Sequence, residues 1–146
     1  MKFVLLLIAT LFGCALSAKR TFSVRVKGAF LCHEKPYANL PIDIYHQTST
    51  MKYPNFMDRF ANAEGAFDLS AYLETDDYMI QPYIILRHSC WLHPDVPQRC
   101  QRKVVWRIPT NLITSDKEPA ADRVYDLGSV ELAFKNPNEV IVKCGM

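Results

Sequence analysis

The segment from Arg87 to Arg107, RHSCWLHPDVPQRCQRKVVWR, holds most of the residues in this chain whose types and spacing could do chemistry. His88, Cys90, His93 and Cys100 offer two imidazoles and two sulfurs, a donor set that zinc accepts. A cysteine beside a histidine is also the raw material of a nucleophile, provided the sulfur is a thiolate. Against both stands oxidation, because cysteines flanking a short loop with prolines at 94 and 97 are ordinarily joined as a disulfide in an exported chain. An oxidised sulfur is neither metal ligand nor nucleophile. His33 and His46 have no partner in the sequence and read as surface or turn residues.

The same segment gathers Arg87, Arg99, Arg102, Lys103 and Arg107, with Trp91 and Trp106 nearby. If the stretches on either side of the loop pair as a hairpin, several of these cations share one end or face. There they would meet phosphate head groups, with Trp91 at the interface. Arg99, Arg102, Lys103 and Trp91 are the candidate ligand or lipid surface. The plainer reading is a solvated strand face, with Trp106 in the core by its alternation and Arg107 opposite it.

Composition bounds what these residues can serve. With 146 residues, 49% hydrophobic and 22% charged, the chain supports one core and one domain. Its 17 basic and 15 acidic residues leave a net charge of +2, which gives no long-range field of the kind a nucleic-acid binder needs. Any basic surface is local.

The chain opens MKFVLLLIATLFGCALSA: one lysine, an apolar run from Phe3 to Phe12, then small residues. This is the layout of a secretory signal peptide, taken as residues 1–18, with the domain at 19–146. The run is about half the roughly 20 apolar residues that span a membrane, and no later segment approaches that length. A rival reading makes Cys14 the acylated cysteine of a bacterial lipoprotein box, which Phe12 fits poorly. Cleavage removes Cys14 and leaves Cys32, Cys90, Cys100 and Cys144, an even set that allows three pairings. No Asn-x-Ser/Thr sequon is present.

The elements that position these residues are strands. Phe22, Val24 and Val26 alternate with Ser23, Arg25 and Lys27, and Gly28 then marks a bulge or a close backbone approach. Leu40, Ile42 and Ile44 share a face, with Pro41 suited to an edge strand or a first position. Residues 47–59 read as a loop with a weak edge strand, Glu64-Gly65 as a turn, and Tyr83–Leu86 as a strand buried on both faces. Val104, Trp106 and Ile108 share a face opposite Lys103, Val105 and Arg107. Val130, Leu132 and Phe134 share another, and Glu139–Cys144 closes the chain. No helix-length period exists, although a single helical turn fits within 51–63 or 110–117. Short strands punctuated by turns predict an antiparallel β-sandwich. Parity puts Cys32 on the face of Val24 and Val26, and Cys144 on that of Val140 and Val142. The favoured pairing is therefore Cys32 with Cys144, and Cys90 with Cys100.

Four ordered elements, VKGAFLCHEKP with LPIDIYH, the pair Cys90 and CQRKVVWRIP, VYDLGSVEL, and Cys144, resemble the nematode transthyretin-like family from Phe22 to Cys144. Two departures are AEGAF, where the family has Asp-Gly before Arg-Phe, and the loop carrying Trp91, His93, Pro94 and Pro97. The resemblance implies a disulfide-stapled, Greek-key β-sandwich of seven or eight strands that is secreted, without cofactor or resident metal. Related hydrolases of the same fold end in a Tyr-Arg-Gly-Ser motif; this chain ends VIVKCGM, so catalysis is not expected. The expected role is a non-catalytic extracellular binding protein, bridging an anionic phospholipid head group or cell-surface ligand to a protein receptor, or a secreted factor between parasite and host. The alternative is a carrier of a small apolar ligand in a tetramer channel. Sequence fixes neither receptor nor oligomeric state.

Overall fold

The alternation that begins at Phe22 runs on without a break to Cys32, and in the computed structural model Arg20–Cys32 is a single strand, β1. The structure describes residues 18–47, 55–91 and 101–141. The remaining strands are β2 (Lys35–Pro36), β3 (Pro41–His46), β4 (Asn55–Phe60), β5 (Ala66–Thr75), β6 (Pro82–His88), β7 (Arg102–Arg107), β8 (Val124–Glu131) and β9 (Glu139–Ile141). A single 3-10 turn, Thr110–Leu112, falls where a helical turn is allowed by the sequence. The expected signal peptide falls on residues outside those described.

Two sheets pack face to face. In the first, β1 lies between β5 and β8, with the two-residue β2 paired to its last residues; the second runs β4-β3-β6-β7-β9. This is the all-β sandwich expected, and β2 is the strand the sequence did not announce. Every pairing is antiparallel except β1 with β8, which is parallel. Pro41 is the first residue of β3, and the weak edge strand is β4.

Gly28 explains how β1 keeps its register on one side and accommodates a bulge on the other. Against β5 the pairing is continuous from Arg20↔Thr75 to Ala29↔Ala66. Against β8 the register shifts between Lys27 and Ala29. A Cβ on Gly28 would lie 2.9 Å from the Gly128 carbonyl oxygen and 3.1 Å from the Phe67 ring, so only glycine admits both neighbours. The Phe67 ring stacks on Phe30 at 4.8 Å between centroids, and Phe30 stacks on Trp106 of the other sheet at 6.4 Å. Around this aromatic stack the inward residues of β1, β3, β6 and β7 form the core: Val24, Val26, Ile42, Ile44, Ile84, Leu86 and Val104 are buried completely or nearly so. Each such side chain contributes roughly 1.5–3 kcal/mol by leaving water.

The outer face of the first sheet is charge-compensated. Arg25 pairs with Asp68 at 2.7 Å, Lys27 with Asp126 at 3.2 Å, and Lys117 with Glu74 at 2.9 Å. These are exposed, screened pairs that add little to stability, but each gives its cation a counter-charge on that face.

Candidate functional site

Cys32 ends β1, and Cys90 lies two residues past β6 on the inward parity of Ile84, Leu86 and His88. The two form a disulfide with S–S 2.07 Å and Cα–Cα 5.9 Å. The expected pairings of Cys32 with Cys144 and Cys90 with Cys100 are thereby corrected; Cys100 and Cys144 themselves lie outside the described residues. Parity gives the face of Cys32 but not its partner, because alternation says which face a residue occupies and nothing about which strand of the opposite sheet crosses over it. β1 is central in one sheet and β6 in the other, so the bridge ties the two middles together.

Oxidation also disposes of the zinc set drawn through His88, Cys90, His93 and Cys100, of which His93 and Cys100 fall outside the described residues. A nitrogen of His33 lies within 4.8 Å of both Cys32 and Cys90 sulfurs, but both are spent in the disulfide and make no thiolate ligand.

His33 and Glu34 form the two-residue turn from β1 to β2, with φ of 53° and 63°. Two successive left-handed residues match the primed turn that a tight hairpin needs, and neither is glycine. Glu131, at the end of β8, holds this turn in place. Its carboxylate accepts from the backbone N–H of His33 at 3.0 Å, of Glu34 at 2.8 Å and of Ala133 at 2.9 Å. Partial burial works against the charge, but these three donors outweigh it and hold the carboxyl below its usual range. The His33 Nε2 lies 2.7 Å from the Trp91 carbonyl oxygen.

Arg102 is the largest departure from the expected surface. Its side chain is 4% exposed and its guanidinium lies between the sheets. Nε donates to Glu139 Oε1 at 2.7 Å and Nη2 to Oε2. Nη1 reaches the carbonyls of Cys90, Leu132 and Ala133, and Nη2 that of Phe134. All of its donors face the protein, so Arg102 cannot meet a head group. For Glu139, burial opposes ionisation, but the bonds from Arg102 and from the Asn136 N–H prevail and hold its carboxyl below the usual value. The Trp91 ring is half-buried 5.3 Å from the Arg102 guanidinium, which makes it part of the same packed end.

His46, expected at the surface or in a turn, and His88, a candidate metal ligand, are both buried. His46 is fully buried, with Nε2 3.0 Å from Asp77. His88 accepts the Cys90 N–H on Nδ1 at 3.3 Å and packs edge-on to Tyr37. Burial first and Arg102 second push its pKa down to about 4, against the pull of Glu139. A signal for Arg102, His46 and His88 was present: each shares parity with an inward run, Val104 and Trp106 for Arg102, Ile42 and Ile44 for His46, Ile84 and Leu86 for His88.

What remains of the cation cluster is on the outer face of the second sheet. The β6–β7 register sets Arg87 opposite Lys103 and Tyr83 opposite Arg107, and β3 sets Tyr45 beside Tyr83 and Asp43 beside Ile85. Ile85, on this outer face, is only 8% exposed, so the continuous apolar run is covered on both sides as expected. Arg87 reaches Asp43 at 3.5 Å. Among the described residues, neither Lys103 nor Arg107 has a carboxylate within ion-pair distance. Arg99 lies outside the described residues.

Strand order and the inter-sheet disulfide define a stapled β-sandwich. The model of the transthyretin-like family matches residues 27–109. Curated relatives from Caenorhabditis elegans match over most of their lengths. Transthyretin-like protein 16 is 33% identical over 84% of this chain and 85% of its own, and transthyretin-like protein 2 is 30% identical over 82% and 81%. Transthyretin-like protein 5 is 29% identical over 95% and 96%. The chain belongs to the transthyretin-like family.

Proposed function

We propose that this protein is a secreted, non-catalytic extracellular binding protein whose outer second-sheet face engages an anionic phospholipid head group, leaving the loops free for a protein receptor. One observation carries the reading: Arg87 and Lys103 stand directly opposite each other, with Arg107 on the same face. Like charges directly opposed across a ladder repel, and the carboxylate of Asp43, reached by Arg87 at 3.5 Å, offsets this only in part. A phosphate on this face would relieve that repulsion, and Tyr45 and Tyr83 give it an amphipathic floor. On the first sheet, by contrast, Arg25, Lys27 and Lys117 each already have a carboxylate partner. Export is supported by the leader-like N-terminus and by the Cys32–Cys90 bridge, since structural disulfides belong to oxidising compartments.

The surface differs from that expected of the sequence. Lys103 stays in it, Arg87 and Arg107 enter, and Arg102 and Trp91 leave. The test is co-sedimentation of the oxidised mature chain with neutral and with phosphatidylserine-containing vesicles, at low and at physiological salt. Selective binding that survives physiological salt and is lost in Lys103→Glu/Arg107→Glu is the expected outcome. Equal binding to both vesicle types, or retention by the double variant, would remove this face from the mechanism.

A further inference from the structure

The end of the sandwich away from the disulfide carries a groove that the head-group reading does not use. Phe22 of β1, the loop residues Tyr78, Met79, Ile80 and Gln81, and Thr110, Ile113 and Ser115 after β7 line a cavity of about 230 Å³. It continues into a second hollow of about 370 Å³ that shares Phe22, Tyr78 and Ser115 and adds Arg20 and Thr21. Ile80 is buried at its floor, whereas Tyr78 and Met79 on its wall are 77% and 75% exposed. Large apolar side chains left in water beside a concave apolar surface mark a binding site more often than a defect.

The charge at the rim narrows the ligand. The Arg20 guanidinium sits 4.3 Å over the centre of the Tyr78 ring, and among the described residues it has no carboxylate partner. A guanidinium held against an aromatic face keeps its N–H fork for a planar anion, and arginine suits a carboxylate well. The apolar part of the groove is somewhat larger than the 150 Å³ cavity that takes a benzene ring, which fits one ring or a short acyl chain and excludes a long lipid tail.

We propose that this groove binds a small amphipathic carboxylate, its apolar body between Phe22, Tyr78, Met79 and Ile113 and its carboxylate on Arg20. The site is complete within one copy of the chain. It therefore needs no tetramer channel, and it is independent of the cations on the second sheet.

The test titrates the oxidised mature protein with 4-phenylbutyrate and with its neutral amide by ligand-observed NMR. The carboxylate is expected to bind roughly tenfold more tightly than the amide, the scale of one charge-assisted hydrogen bond. Arg20→Gln is expected to equalise the two, and Ser115→Trp, at an exposed position common to both hollows, to block both without moving the Tm. Met79→Ala, which cannot disturb the core, is the second variant and weakens both ligands. The proposal is overturned by no carboxylate binding up to the solubility limit, by equal affinity for acid and amide, or by unchanged binding in Ser115→Trp and Met79→Ala. Uptake by vesicles of either charge without binding of the soluble acid would overturn it too, and would make Tyr78 and Met79 a membrane-inserting tip.

Discussion

Arg102 and Glu139 form a two-pronged ion pair whose side chains are 4% and 3% exposed, and the same guanidinium caps four backbone carbonyls at the disulfide end of the sandwich. Removing one member leaves a buried charge without a partner, which costs about 3–5 kcal/mol. Arg102→Met is therefore expected to lower the free energy of unfolding, read from the urea transition, by that margin. Arg102→Lys should recover little, because an ammonium cannot span the carboxylate and the carbonyls of Cys90, Leu132, Ala133 and Phe134 together. Replacing the pair by two leucines removes the charge problem but strands those carbonyls, so the double variant should remain destabilised. Equilibrium denaturation of the three variants measures each step.

The inter-sheet bridge makes a second prediction. Non-reducing peptide mapping should return a Cys32–Cys90 peptide, and joint replacement of both cysteines by alanine should cost about 4 kcal/mol, the chain-entropy value for a separation of 58 residues. Cys100 and Cys144 are expected to join each other, since the β7–β9 register ends at Arg102↔Ile141 and these two cysteines lie two and three residues beyond it in sequence. A peptide linking Cys32 to Cys144 would refute the packing of β1 across β6.

How much of this was legible follows from what alternation encodes. The strands, the inward face of β1, the bulge glycine and the core position of Trp106 all follow from period and residue type, which act locally. The parallel pairing of β1 with β8 and the partner of Cys32 depend on which elements meet in space, and residues as far apart as Arg25 and Val124, or Cys32 and Cys90, carry no local mark of that. Arg102 is a different case. Its parity places it inside with Val104, whereas its charge points to the surface. The partner that makes burial tolerable, Glu139, lies 37 residues away.

Two glycines with similar backbone angles should respond differently to substitution. Gly65 has φ of 71°, and an added Cβ would lie 2.4 Å from the Phe30 carbonyl oxygen. Gly128 has φ of 61° and open space around it. Gly128→Ala then bears only the left-handed penalty of roughly 1–2 kcal/mol, and Gly128→Asn less. Gly65→Ala bears that penalty and must also push the β4–β5 turn off β1, so its loss of stability should be clearly the greater. Thermal melts of the three variants decide it; equal losses would mean the turn yields freely.

His88 should make stability fall with acid before the carboxylates do. Its pKa is about 4 in the folded chain and near 6.5 when unfolded. With Nδ1 accepting from Cys90, the neutral ring carries its proton on Nε2, where nothing among the described residues accepts it. Arg102, Glu139 and Tyr37 surround the ring, and of these Glu139 alone favours its protonation. Above pH 6.5 both states are neutral and His88 contributes no pH dependence. As pH falls from there to about 4, the unfolded ring takes up a proton that the folded ring refuses, and stability drops by roughly 3 kcal/mol in all. Below that the folded ring protonates too and the contribution levels off. Glu131 and Glu139, held below their usual values, add their own losses only once pH passes under the ordinary glutamate range near 4.5. The interval from pH 6.5 to 5 thus separates His88 from these carboxylates, and His88→Leu should flatten the curve there relative to the native protein. An NMR titration reads the same property directly: the His88 ring signals should stay fixed across that interval, and a midpoint near 6.5 would show that the ring is not sealed beside Arg102.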